Sequence, residues 1–187
     1  MTQPNNSTRS GKKMAIVVGY IESGNYGLLG PQMAATIIQD HTPYECIVIA
    51  VAREYDRTAL KKHLADYFGP ARPLVGFSAL SGREDLFALA KELRQEGVLT
   101  ILAGPQANAD FAGEEGWQDH PHRFQGLSEN VNFGLQGPAE QVIELLDRLD
   151  GKEDWSQIPG LLYLDATGNV IQNPPNEWDA AYLGKVR

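Results

Sequence analysis

Apolar residues in this chain come in short unbroken runs separated by amphipathic stretches. Met14–Tyr20 (MAIVVGY), Tyr44–Val51 (YECIVIAV), Pro73–Leu80 (PLVGFSAL) and Val98–Ala103 (VLTILA) are apolar at nearly every position. A strand with one wet face alternates polar and apolar residues, so a continuous run predicts a strand covered on both faces. Asn130–Gln136 (NVNFGLQ) reads as a weaker fifth strand. The stretches between repeat at helical spacing. Pro31–Asp40 reads as a helix with proline near its first turn. Asp56–Phe68 carries Leu60, Leu64 and Tyr67 at helical intervals behind Asp56, a good N-cap. Arg83–Gln95 sets Leu86, Leu89, Ala90 and Leu93 on one face, and Gly97 stops it. Pro138–Leu149 does the same with Val142, Leu145, Leu146 and Leu149, and Gly151 stops it.

Five strands alternating with helices predict an α/β domain, a doubly wound five-stranded parallel sheet of flavodoxin-like or Rossmann-like type. Its crossovers are expected to be right-handed. Phe111–Ser128, with three glycines and a proline, reads mostly as loop. Past Gly151 the period changes to that of strands. Leu161–Leu164 and Val170–Gln172 flank Thr167-Gly168 and read as a β-hairpin. The expected organisation is a disordered lead-in over 1–12, the α/β domain over 13–151, and a hairpin with a linker over 152–187.

Length and charge narrow the classes. A chain of 187 residues accommodates one domain with small appendages. The net charge of −8 and pI near 5.0 disfavour nucleic acid and anionic membrane as partners, because both are held by Lys and Arg. No apolar run approaches the 18 residues of a membrane-spanning helix. The cytoplasm is the expected compartment. Cys46 is the one cysteine, so neither an internal disulfide nor a cysteine-only metal site is available, and its apolar setting reads as a buried inert thiol. His41, His63, His120 and His122 read as solvated side chains, not metal ligands. No G-x-S-x-G elbow is present, and no catalytic residue is expected.

In doubly wound sheets, ligands bind beyond the carboxyl ends of the strands. Four segments follow strands here. The first holds Glu22, Ser23, Gly24, Asn25, Tyr26 and Gly27, glycine-rich enough for a phosphate cradle or a plain turn. The second is Ser78, Ala79, Leu80 and Ser81, whose small side chains and hydroxyls suit either a ligand or the cap of the next helix. The third is Gly104, Pro105, Gln106 and Ala107. The fourth is Gly137, Pro138, Ala139 and Glu140.

Taken together, several of these pieces resemble one family. LVGFSAL (Leu74–Leu80), TILAGPQAN (Thr100–Asn108), FGLQGPAEQVIELLDRLDG (Phe133–Gly151) and above all IPGLLYLDATGNVIQNPP (Ile158–Pro175) are similar, in order and spacing, to the N-terminal part of cobalamin-binding radical-SAM proteins. The resemblance covers roughly Lys13 to Pro175. It implies a cobalamin-binding module, with Ser78 and Leu80 near the nucleotide tail, Gly104 and its neighbours against it, and Gly137–Glu140 along the corrin rim.

It also implies a radical-SAM barrel, in cis or in trans, that carries the 4Fe–4S cluster and S-adenosylmethionine. That cluster needs a C-x-x-x-C-x-x-C run, which this sequence lacks. The sequence ends about where such a barrel begins, so an excised domain or a truncated gene product is expected. Four places depart from the pattern: ESGNYG replaces the D-x-H-x-x-G of an axial histidine, Ala103-Gly104 replaces Gly-Gly, Gln106 stands where histidine is often found, and Gly137-Pro138-Ala139-Glu140 replaces G-E-G-E. Two alternatives follow. One is a structural or interaction domain with a degenerate groove. The other is a flavodoxin-like FMN protein, since SGNYG is faintly similar to a flavodoxin phosphate loop, although the aromatic pair that stacks on a flavin is missing.

Overall fold

The computed structural model describes residues 11–19, 28–78, 83–104, 107, 130–149, 151 and 154–175. In chain order the elements are β1 (Lys12–Gly19), α1 (Leu29–His41), β2 (Tyr44–Val51), α2 (Arg57–Phe68), β3 (Leu74–Ser78), α3 (Glu84–Gln95), β4 (Leu99–Ala103), β5 (Phe133–Leu135), α4 (Gln141–Leu149), a 3₁₀ turn (Trp155–Gln157), β6 (Leu161–Leu164) and β7 (Val170–Gln172). They build one mixed α/β fold around a single sheet in the order β2-β1-β3-β4-β5-β6-β7.

The first five strands pair in parallel, with Ala15 opposite Val75, Gly76 opposite Ile101 and Ala103 opposite Leu135. The hairpin expected from the sequence is present, and it joins the sheet. β6 runs antiparallel along β5, with Leu135 opposite Leu161, and β7 runs antiparallel along β6. The sheet therefore counts seven strands where alternating runs predicted five. The reason is an exposed edge: β5 would otherwise present unpaired N–H and C=O groups.

Continuous apolar runs place alternate residues on opposite faces, and each face has its own core. Ala15, Val17, Val75, Phe77 and Leu102 pack with Leu60, Leu64 and Phe68 of α2 and Leu86, Leu89 and Leu93 of α3. Met14, Ile16, Leu74, Ile101 and Leu135 pack with Ala35 and Ile38 of α1 and Val142, Leu145 and Leu146 of α4. Fully buried leucines such as Leu89 and Leu145 contribute about 1.5–3 kcal/mol each. Asp56 caps α2 as its sequence predicts, accepting from Ala59 N at 3.0 Å.

Boundaries shift where turns intervene. β1 starts at Lys12, two residues ahead of the apolar run. α1 begins at Leu29, ahead of Pro31. α4 begins at Gln141 and not at Pro138, because Pro138, Ala139 and Glu140 form a tight turn whose carbonyls accept from Gln141, Val142 and Ile143 N–H.

Candidate functional site

The strand order reverses on either side of β1, where β2 lies to one side and β3 to the other. On the face shared by α1 and α4, space is left between the two helices near the carboxyl edge of the sheet. A cavity of about 250 Å³ remains there. Its floor is Met14, Ile16, Gly76 and Ile101. One wall is Gly30, Pro31, Ala34 and Ile38 of α1. The other is Gly137, Pro138 and Ala139 with Val142 of α4, and Ser78, Ala103 and Gly104 stand at the strand ends.

Small residues keep this space open. Gly76 lies within an otherwise bulky strand, and a Cβ there would stand 2.9 Å from Met14 Cε. At the rim, Gly104 has φ +111° and Gly137 has φ +107°, backbone shapes that side chains other than glycine rarely adopt. Ser78 Oγ lies 3.9 Å from where a Gly104 Cβ would be, so the two strand ends approach closely. The lining carries no charged side chain among the described residues. Its polar groups are the Ser78 hydroxyl and backbone amides. Such a site selects an apolar, hydrogen-bonding ligand, not a bare ion.

The sequence-predicted positions divide into three sets. Ser78, Gly104, Gly137, Pro138 and Ala139 come together around the cavity. Ala107 is 1% exposed and packs in the opposite core layer, its N–H donating to Gly104 O, so it supports the Gly104 turn from behind. Glu140 is half-buried beside the cavity without lining it. Glu22, Ser23, Gly24, Asn25, Tyr26, Gly27, Ala79, Leu80, Ser81, Pro105 and Gln106 lie outside the described residues, as do His120 and His122. His41 and His63 are exposed at a distance from this edge, at the end of α1 and on α2. Among the described residues no group of three His, Cys, Asp or Glu side chains could hold a metal.

Sequence reasoning missed the floor and one wall. Gly76 had a signal, a lone glycine inside a strand pattern, which marks a close approach. Gly30 ends the glycine-rich stretch that follows the first strand run, whereas Ala34 is visible only once α1 is placed. Gln141 was also missed; it is buried at the first position of α4, against Gly137.

Two further groups near the strands are structural. Arg83, 9% exposed, donates from Nη1 to Val51 O at 3.3 Å and from Nη2 to Ala52 O at 2.9 Å, and its Nε and Nη2 clasp Asp85 at 2.9 and 2.8 Å. A Cβ at Gly19 would stand 2.8 Å from Nη1, so glycine is what lets the guanidinium pass the end of β1. The hydrogen bond from Arg83 holds the Asp85 carboxyl below its usual range. On β2, burial pushes the Cys46 thiol up to about 12, so it stays protonated and unreactive.

No family model matches the sequence, and no curated protein does. Solved structures do share the fold. The chain superimposes on the cobalamin-dependent S-adenosylmethionine radical enzyme OxsB with aqua-cobalamin and S-adenosylmethionine bound, with a TM-score of 0.63 at 12% identity over 89% of this chain. The same enzyme with aqua-cobalamin alone gives 0.62 at the same identity and coverage. This chain spans 23% of that enzyme's length. At that identity the likeness is one of fold.

Proposed function

We propose that this chain is a cobalamin-binding module that works with a radical-SAM barrel, in the same polypeptide or as a partner. The observation that carries the reading is the glycine-edged apolar cavity at the carboxyl edge of the sheet, on a fold like that of a cobalamin-dependent radical enzyme.

The residues present fit part of the cofactor. About 250 Å³ suits a bicyclic base with its sugar and is too small for a tetrapyrrole macrocycle. The nucleotide tail therefore belongs inside, against Ile16, Gly76 and Ile101, and the corrin belongs outside over the Gly104 and Gly137 turns. Gly104 and Gly137 let backbone come close to the ligand, and the Ser78 hydroxyl both donates and accepts hydrogen bonds. No histidine lines the cavity among the described residues. Bound cobalamin would supply a cobalt centre able to carry an alkyl group for transfer, such as methylation. This sequence holds one cysteine, buried and protonated, so the three thiolates of a 4Fe–4S cluster, and S-adenosylmethionine with it, belong to the barrel.

Titrating the purified chain with aquacobalamin tests this. Stoichiometric uptake with a shifted corrin spectrum is expected, and Ala34→Trp, which fills the cavity from α1, is expected to abolish it while circular dichroism stays unchanged. No uptake at tens of micromolar would remove the reading in favour of a packing domain without a cofactor. Tight FMN binding with a flavin absorption band would replace it.

A further inference from the structure

Buried polar side chains are almost always hydrogen-bonded, so an exception calls for an explanation. Gln141 is such an exception. It opens α4, is 3% exposed, and its Oε1 is buried with no hydrogen-bond partner. Its backbone N–H is satisfied by Pro138 O at 3.1 Å, so the side chain is not needed as a cap. The amide is wedged between two glycines. A Cβ on Gly137 would stand 2.8 Å from its Cδ and 2.9 Å from its Nε2, and a Cβ on Gly160 would stand 3.3 Å from its Oε1. Gly137 is itself part of the cavity wall, while Gln141 lies behind it. Ser78 apart, the side chains of that wall and floor are apolar, so among the described residues the carboxamide with an unpartnered buried oxygen beside them is this one.

We infer that Gln141 is a polar anchor beside the cavity: its carboxamide, next to the Gly137 turn over which the corrin is proposed to lie, pairs with a primary carboxamide on the ligand. The inference rests on the proposed cobalamin reading and names the part of that ligand which the chain recognises. A primary amide offers one donor face and one acceptor face, and a glutamine matches both at once in a cyclic pair. A carboxylate in the same place has no N–H for Oε1 and leaves it orphaned. The corrin rim of cobalamin carries several primary carboxamides, so the site distinguishes the amidated cofactor from acidic corrinoids. Gly137 leaves room for the amide where it stands, since a Cβ there would collide with it.

The test uses the full chain with Gln141→Met, which keeps the volume and deletes the polar atoms, and Gln141→Leu as a second variant. Thermal midpoints without ligand are measured, with affinities for aquacobalamin, for cobinamide, which keeps the corrin amides but lacks the nucleotide tail, and for cobyrinic acid, which lacks both. Without ligand, Gln141→Met should melt at or above the wild-type temperature, because it removes an unsatisfied buried acceptor. Its affinity for aquacobalamin should fall about tenfold, the loss expected for a hydrogen-bonded pair, and its preference for cobinamide over cobyrinic acid should shrink. A lower melting temperature in both variants with unchanged affinity would make the amide structural and overturn the inference alone. If wild type takes up no corrinoid, the cofactor reading falls and this inference with it.

Discussion

At the carboxyl end of β2, Arg83 spends its guanidinium on two backbone carbonyls and one carboxylate. Replacing it with methionine leaves Val51 O and Ala52 O without their donor and Asp85 without its partner. The pair is 10% and 31% exposed at its side chains, so water screens it in part. The expected loss is about 2–4 kcal/mol in urea denaturation, and Arg83→Lys should recover little, since an ammonium cannot reach three acceptors in a plane. The sign of the acid response follows from Asp85. Its carboxyl is held below 3.8 in the folded chain, so its contribution is present above that value and drains as pH falls through the folded pKa. Wild type should lose stability along that limb faster than Arg83→Met. Cys46 makes the opposite case. With its thiol pushed up to about 12 and buried, it should resist thiol reagents at neutral pH in the native chain and react at once in denaturant. Its inertness was legible in YECIVIAV. The roles of Arg83 and Gln141 were not, because each depends on partners 31 residues away or on glycines brought close only by the fold.

The hairpin does for β5 what a helix does for the sheet faces. β5 has three residues and contains Gly134, too short a run to hold an edge alone. β6 covers it, and the hairpin is then pinned at both ends. Asp165 accepts from Thr167 Oγ1 at 2.7 Å, Asn169 N at 2.9 Å and Thr167 N at 2.8 Å to close the turn, which holds its carboxyl down to about 2. Asn173, 5% exposed, donates from Nδ2 to Trp155 O at 2.6 Å and Ile158 O at 2.8 Å. Asn173→Leu should cost about 1–3 kcal/mol by leaving the two carbonyls only the 3.3 Å bonds from Ile158 N and Leu161 N, visible as a lowered melting temperature. A chain ending at Gly151 should aggregate, because Phe133 and Leu135 lose the cover of Trp155 and Leu161 and β5 becomes an open edge. Size-exclusion chromatography reads that directly. The alternation of strand and helix was plain in the sequence because burial on both faces writes itself as unbroken apolar runs. The hairpin's own turn was plain too. Its docking on β5 was not, since a local pattern specifies a turn but not the remote strand that will pair with it.

The whole molecule carries a net charge of −8, yet the cavity wall among the described residues carries none. The two facts act differently on different ligands. A dianionic phosphate approaching this surface is repelled by the general field and finds no Arg or Lys among the described lining residues to compensate it, so FMN is a poor match on electrostatic grounds. A cobalamin tail has its phosphate charge offset within the cofactor and brings mainly apolar surface and amides. Its binding should then depend on burial and hydrogen bonds, which salt barely touches, and not on ion pairing, which weakens once the Debye length drops below about 10 Å near 0.1 M salt. Aquacobalamin affinity should therefore change by less than about twofold between dilute buffer and half-molar potassium chloride. A steep loss of affinity across that range, measured by equilibrium dialysis, would mean that cations outside the described wall hold the phosphate. The tail would then sit at the surface, and the apolar cavity would not be what the cofactor uses.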